Sequence, residues 1–472
     1  MILRRLKTLS LIFSGLWLSG CAVHTGDDKA AIAEHLHNMS LPTIMLPMHK
    51  SEQDAAAARV SELLQQPLTL EHAIEVAVLN NPSIQAELWS LGIAQTDLRQ
   101  LSTLPNPGVK FSRGLGKESH TELEFGLNLL ALITLPQVRE LALQDYQMAR
   151  IATAQRISLL IHETKLAYWH AIAAQEVLSH VEKGYQATQA TAELARRMAA
   201  TGNFNKLNFL REQRSFSDST LNLILARQSQ ANHLAKLERQ LGLWQHTSQL
   251  KLPARLPDLP LNETSGHQVE AKEIPQQSLQ QRLDVQLVRL QLTQLAQALD
   301  LTRNTRLVNV FSGEVSGEVG NSDERSYSLI FELPVFDSGQ HRVNRQQAQY
   351  QQAFAQATAV GIRARSELQQ SYEYYQTQRV IALHYQQTVE PLARQIAEEN
   401  QLLYNGMFIS VFELLADARD QITAMTDAIH ANRDYWIAKA QLELAKTGTP
   451  DGNFPSALFK QTAVQASDKK DH

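Results

Sequence analysis

Between Ser326 and Leu333 the chain alternates strictly. Tyr327, Leu329, Phe331 and Leu333 fall on one face of an extended segment, and Ser328, Ile330 and Glu332 on the other. Pro334 lacks the N–H that a ladder needs and closes the strand. Asp337 or Ser338 then caps a helical pattern that runs with hardly a break to about Tyr404. At about 1.5 Å per residue this is roughly 100 Å of helix, more than an ordinary globular core needs. An earlier stretch carries the same pattern. Leu123, Phe125, Leu127 and Leu129 share one side, Glu122, Glu124, Gly126 and Asn128 the other, and Pro136 opens a helical run to about Thr201.

Each alternating strand has a partner upstream. Val109–Arg113 reaches Thr121 through the turn Gly114–His120, and Leu307–Glu318 reaches Ser326 through Val319–Arg325. In the second of these Phe311, Gly313 and Val315 share a side opposite Ser312, Glu314, Ser316 and Glu318. The helices correspond too. Gly202 breaks the first long run before a helix to about Leu243, and Gly406 breaks the second before a helix through Phe412, Leu414, Leu415 and Ala418 to about Ala445. Glycine supplies the left-handed or sharply turned position that ends a helix. These turns are 204 residues apart, and the breaks at Asn81-Pro82 and Gln281-Arg282 are separated by about the same interval, which identifies an internal duplication. Ahead of the first break, Thr69 caps a helix containing Ala73, Val76, Ala77 and Val78.

The boundaries follow. Residues 1–20 read as a signal peptide, 21–66 as a leader, 67–245 as the first repeat with strands about 108–113 and 121–130, and 246–275 as a proline-containing linker that packs around the helices. Residues 276–446 form the second repeat with strands about 307–318 and 326–334, and 447–472 a polar tail. The signal rests on Arg4, Arg5 and Lys7 ahead of the apolar run Leu9–Leu18 and the small residues before Cys21. Leu18-Ser19-Gly20-Cys21 also resembles a bacterial lipoprotein box, which implies a mature chain beginning at acylated Cys21 and, with Ala22 next, transfer to the outer membrane. Cys21 is the sole cysteine, so processing leaves neither a disulfide framework nor a thiol site. A formal net charge of -4 without a sustained basic patch argues against nucleic acid as a partner. The apolar residues are too dispersed for a bundle of membrane helices.

Glutamates on one side and aromatics on the other suit a barrel wall with a wet interior, although a soluble sandwich also alternates. Glu122, Glu124, Asn128, Glu314 and Glu318 are the candidate lumen residues. Four strands cannot close such a barrel, and an open sheet in lipid would leave backbone groups unpaired, so several chains must contribute to one wall.

The stretches LTLEHAIEVAVLNNPSIQAE from Leu68, FELPVFDSGQHRVNRQQA from Phe331 and YNGMFISVFELLADARDQI from Tyr404 resemble the TolC-like family of bacterial outer-membrane efflux proteins, in its lipoprotein branch. Less typical first-copy versions begin at Leu127 and Ala200, and the resemblance covers about Leu68 to Lys446. It implies a mixed α/β membrane protein: a homotrimeric twelve-stranded β-barrel built from four strands per chain and continued by a long periplasmic α-helical barrel. It also implies outer-membrane lipid around the barrel, a periplasmic membrane-fusion adaptor and an inner-membrane efflux pump as partners. The two helix turns would then form the gate and the adaptor contact. Gly202, Asn203, Asn405, Gly406 and Met407 become candidate tip residues, and Glu413, Asp417 and Arg419 candidate polar contacts of the gate. A solvated helix face is the other reading of those three. The acidic gate ring of some relatives has no match in GMFISV.

No catalytic arrangement competes. His35 and His37 lie in the leader, and His246, His341 and His384 lack Cys, Asp or Glu partners at metal-ligand spacing. No GxSxG nucleophile motif is present. The sequence therefore leads to no enzyme, no cofactor and no metal, and to a passive duct whose driving energy comes from the pump. A trimeric envelope lipoprotein that organises periplasmic helices without conducting is the alternative.

Overall fold

The computed structural model describes residues 50–113, 121–244, 250–260, 276–308, 310–318, 325–332 and 334–448. Cys21, the leader histidines His35 and His37, and His246 lie outside the described residues, as does the tail beyond Gly448. The elements are α1 (Lys50–Gln65), α2 (Leu70–Asn80), α3 (Pro82–Leu101), β1 (Gly108–Arg113), β2 (Thr121–Asn128), α4 (Leu129–Ala200) and α5 (Lys206–Gln240). There follow α6 (Gln276–Gln281), α7 (Leu283–Thr305), β3 (Phe311–Glu318), β4 (Arg325–Phe331), α8 (Gln340–His384), a π turn (Tyr385–Val389), α9 (Glu390–Asn405) and α10 (Val411–Thr447). After α1 the order short helix, helix, hairpin, long helix, returning helix occurs twice. No helix among the described residues is long and apolar enough to cross a membrane.

The chain forms two compact units, each discontinuous in sequence. Among the described residues, one takes Glu87–Thr153 and Val285–Val360, and the other takes those within 50–86, Ala154–Asp284 and 361–448.

The first unit holds an antiparallel sheet of four strands in the order β1-β2-β3-β4. The two repeats meet at the pairing of β2 with β3, where Phe125 lies opposite Val315; Val109 opposes Phe125 from β1, and Tyr327 opposes Val315 from β4. Directly opposed residues share a face. One face therefore carries Val109, Phe111, Leu123, Phe125, Val315, Tyr327, Leu329 and Phe331, and the other Lys110, Glu122, Glu124, Glu314, Ser326 and Ser328. Lys110 Nζ reaches Glu124 Oε2 at 2.9 Å across the polar face.

The joints of this unit differ from the sequence reading. α4 begins at Leu129, seven residues before Pro136, which sits inside the helix. Asn128 supplies the start: its Oδ1 accepts from the Ala131 N–H at 2.9 Å, and an internal proline removes only one ladder bond from a helix already nucleated. β3 starts at Phe311 rather than Leu307, because α7 runs to Thr305 and Val308 N–H still bonds back to the Thr305 carbonyl. The joint into α8 uses Gly339 as well as Asp337. Asp337 Oδ1 accepts from the Gly339 N–H at 2.9 Å, and Gly339 takes φ +72° with its Cα turned so that a Cβ would lie 2.3 Å from the Arg306 carbonyl oxygen.

In the second unit, Thr69 caps α2 by accepting from His72 N–H, and Ala73, Val76, Ala77 and Val78 are buried as their spacing requires. The break after α2 is clasped by side-chain amides. Asn80 donates to the carbonyls of Leu241 and Gly242, and Asn81 to that of Gln240, each at 2.9 Å. The second repeat solves the same problem with one arginine. Arg282, between α6 and α7, is fully buried and donates from Nη1 to the carbonyls of Ala445 at 2.7 Å and Ala364 at 3.3 Å. In both repeats the residue at the helix break thus satisfies carbonyls at the end of the repeat's last helix.

Residues 250–260 of the linker do pack on the helices. Glu176 of α4 accepts from Leu256 N–H at 3.1 Å, and the Pro257 carbonyl accepts from Asn432 Nδ2 and Trp436 Nε1 of α10. Leu259 inserts into a core cluster with Ala382, Ala431 and Tyr435.

Candidate functional site at the two helix turns

The turn after α4 is built by backbone geometry. Gly202 takes φ +78°, and Asn203 N–H bonds back to the Met198 carbonyl at 2.9 Å, which closes the last turn of the helix. Asn205 then starts α5, its Oδ1 accepting from Leu207 N–H at 2.7 Å and Asn208 N–H at 3.2 Å.

The turn after α9 has the same bonding but different residues. Phe408 N–H bonds back to the Leu403 carbonyl at 2.9 Å, as Asn203 does to Met198. The left-handed position is Met407, at φ 63°, whereas Gly406 has φ -80°. Of the two roles a glycine could have here, left-handed or sharply turned, Gly406 does not take the left-handed one: the structural equivalent of Gly202 is Met407. Gly406 is small for another reason. A Cβ there would lie 2.7 Å from the Phe408 ring, which folds back over it. Met407 and Phe408 are exposed, at 93% and 80%. Asn405 is the last residue of α9.

Ser410 begins α10 with a capping box. Its Oγ accepts from Glu413 N–H at 3.2 Å, and Glu413 Oε2 accepts from Ser410 N–H at 2.8 Å. These bonds to the Ser410 backbone and hydroxyl hold the Glu413 carboxyl below the usual carboxylate range.

The three candidate polar contacts are not brought together. Glu413 is turned to its own helix start. Asp417 Oδ2 accepts from Asn400 Nδ2 of α9 at 2.7 Å, pinning α9 to α10. Arg419 points to α5, where its Nη1 donates to Ser215 Oγ and its Nη2 lies 3.8 Å from Glu212 Oε2. Beside it α4, α5 and α10 enclose a groove of about 570 Å³ lined by Arg211, Arg214, Arg419, Asp218 and Asp427 with hydroxyl side chains between. The two turns meet through Phe204 and Phe412, stacked with ring centroids 4.8 Å apart. The sequence places Phe204 and Phe412 in the two turn regions, Ala200–Leu207 and Asn405–Phe412, but gives no sign that they stack, and it gives none for the contacts of Asn400, Glu212 and Ser215. Only the capping box was findable, as Ser410-Val-Phe-Glu413, because the other contacts join residues far apart in the chain.

Of the candidate lumen residues, Glu122, Glu124 and Glu314 lie on the polar face of the sheet, and Asn128 turns its side chain to the start of α4. Glu318 pairs through its backbone with Glu122, and its side chain lies outside the described residues. His341 and His384 are exposed on α8, and among the described residues no group of three or more His, Cys, Asp or Glu side chains is placed to hold a metal ion.

The comparisons agree with this architecture. Residues 73–243 match the family model of outer membrane efflux proteins. No curated protein matches the chain. Among solved structures, the fold is similar to that of the CmeC outer membrane channel of Campylobacter jejuni, at 15% identity and TM-score 0.65 over 86% of this chain and 89% of that one. It is similar to VceC of Vibrio cholerae at 15% identity and TM-score 0.65, over 82% and 98%. The MtrE outer membrane channel of Neisseria gonorrhoeae, described in its open state, aligns at 16% identity and TM-score 0.62 over 80% and 89%. Residues 73–243 thus match the outer membrane efflux protein family, and over 80–86% of its length the chain has the TolC-like fold of these solved outer-membrane proteins.

Proposed function

We propose that this chain is the outer-membrane channel of a tripartite efflux system and passively exports small molecules or ions delivered by an inner-membrane pump through a periplasmic adaptor. The observation that carries this reading is the two-faced sheet. Its apolar face is exposed, with Phe111 at 66%, Tyr327 at 75% and Phe331 at 62%, and β1 and β4 are its edges. Four strands with an apolar outer face are stable in lipid only if the edges pair, and three copies would close a twelve-stranded barrel. Glu122, Glu124 and Glu314 would then line water, and an acyl chain on Cys21 would add membrane affinity.

On the same reading Gly202, Asn203, Asn405, Gly406 and Met407 form the adaptor-facing tip, and Asp417 and Arg419 restrain its opening from opposite sides of α10. Their partners support this: Asn400 and Ser215 lie on the two helices that a widening entrance would move.

Native mass spectrometry of the purified protein should give three copies with acylated Cys21. Planar-bilayer recordings should show conductance, raised in the resting state by D417N or R419Q. Crosslinkers at Asn203 and Asn405 should capture the adaptor. A protein that never conducts with its adaptor present, and whose turns capture none, would instead be a scaffold lipoprotein.

A further inference from the structure

We propose that His170 and His233 form an acid-sensitive joint between α4 and α5, holding the two helices together while both rings are neutral and releasing them on protonation. The inference is independent of whether the chain conducts.

The geometry is specific. The two imidazole rings stack with centroids 4.9 Å apart and planes inclined by only 6°. Neutral rings pack well in such a parallel, offset stack, but two imidazolium rings would place like charges against each other at that separation. The surroundings offer little relief. α5 contributes Lys236, and α10 contributes His430 and Arg433 toward His170. Arg433 and Lys236 also act on His233. The acidic groups nearby are Asp434, already bonded to Arg433 Nε at 2.8 Å, and Asp427, which acts on His430. From α8, Tyr374 faces the Arg433–Asp434 pair. Burial is the main cause that pushes His170 down to about 3 and lowers His233 and His430, with Arg433 adding to each.

The direction of the effect follows from these depressed values. A histidine whose folded pKa lies below its unfolded value contributes stability that is fully present above about 6.5 and is lost as pH falls toward the folded value. The joint should therefore weaken as pH falls below about 6.5, with the His170 contribution lost down to about 3, by up to about tenfold in equilibrium constant per pH unit for each histidine that takes up its proton on opening. His162 also resists protonation. It is buried on α4, with Nδ1 donating to the Ala440 carbonyl and its pKa pushed to about 4 by burial. A global melt would mix its contribution with that of the pair, so the test must be local.

Hydrogen–deuterium exchange of the purified full-length assembly, corrected for intrinsic rates, should be compared at pH 7.5 and 5.0. Amides of 166–174 and 229–237 should lose at least tenfold in protection on acidification relative to those flanking Arg282. H170F/H233F keeps two stacked rings without titration and should abolish that difference. Unchanged protection of these segments in the wild type would overturn the proposal by itself, whether or not the variant assembles. An equal loss in a folded variant would also overturn it.

Discussion

Arg282 lays two parallel N–H donors on the carboxylate of Asp284, Nε 3.0 Å from Oδ1 and Nη2 2.7 Å from Oδ2. Nη2 also reaches Glu367 Oε2 at 2.7 Å, and Nη1 serves the Ala364 and Ala445 carbonyls, so all five guanidinium N–H groups are engaged while the side chain is 0% exposed. Three segments of the second unit, the start of α7, α8 and the end of α10, meet at this one group.

Removing it should be costly because two buried carboxylates and two carbonyls would lose a donor. R282M is expected to destabilise by about 3–5 kcal/mol, and R282M/D284N/E367Q by less, since the triple change also removes the two buried negative charges. R282K cannot reproduce the planar fork and should lie between wild type and R282M. Urea denaturation monitored by circular dichroism checks the order.

Gly339 sets the joint between β4 and α8. G339A combines a left-handed backbone with a Cβ placed 2.3 Å from the Arg306 carbonyl oxygen, and should cost on the order of 2–4 kcal/mol. Thermal unfolding would measure the loss, and on the channel reading membrane fractionation should show less inserted protein.

At the second turn, M407G should stabilise by up to about 1 kcal/mol, because it relieves a left-handed methionine that buries almost nothing. G406V should act oppositely, not through its backbone angle but by displacing the Phe408 ring. On the channel reading it lowers adaptor crosslinking more than membrane insertion. S410A should cost about 1 kcal/mol through loss of the cap. Glu413, whose folded pKa is depressed, supports this helix start above its unfolded value of about 4.3, and the support disappears as pH falls through the folded value. Acid titration of turn-peptide exchange in wild type and E413Q would show it: the two should converge at low pH.

The sheet predicts an asymmetry. On the channel reading F125R puts a charge on the apolar face and should impair insertion, with a cost of about 2–4 kcal/mol at mid-membrane, whereas E124Q on the opposite face should be nearly neutral for insertion. Heat-modifiable mobility of the extracted assembly distinguishes the two. Equal loss in both variants would reject lipid on the apolar side.

Local pattern determined what local physics controls. Alternation from Leu123 to Leu127 and from Tyr327 to Phe331 named both faces of the sheet, because side chains of an extended chain point alternately to its two sides. The breaks near Asn81, Arg282, Gly202 and Gly406 were legible because caps and turns are made by neighbours in sequence, and their spacing exposed the duplication. Tertiary structure decided which side chains those breaks hold. Nothing in the order of residues says that Arg282 would meet Glu367 and Ala445, that Phe204 would stack on Phe412, or that His170 would lie on His233, since each pair is joined only by packing between helices distant in the chain. Even the left-handed residue of the second turn moved from Gly406 to Met407. Backbone bonds of the closing helix, from Phe408 N–H to Leu403, fixed that position, and intrinsic glycine preference was too weak to override them.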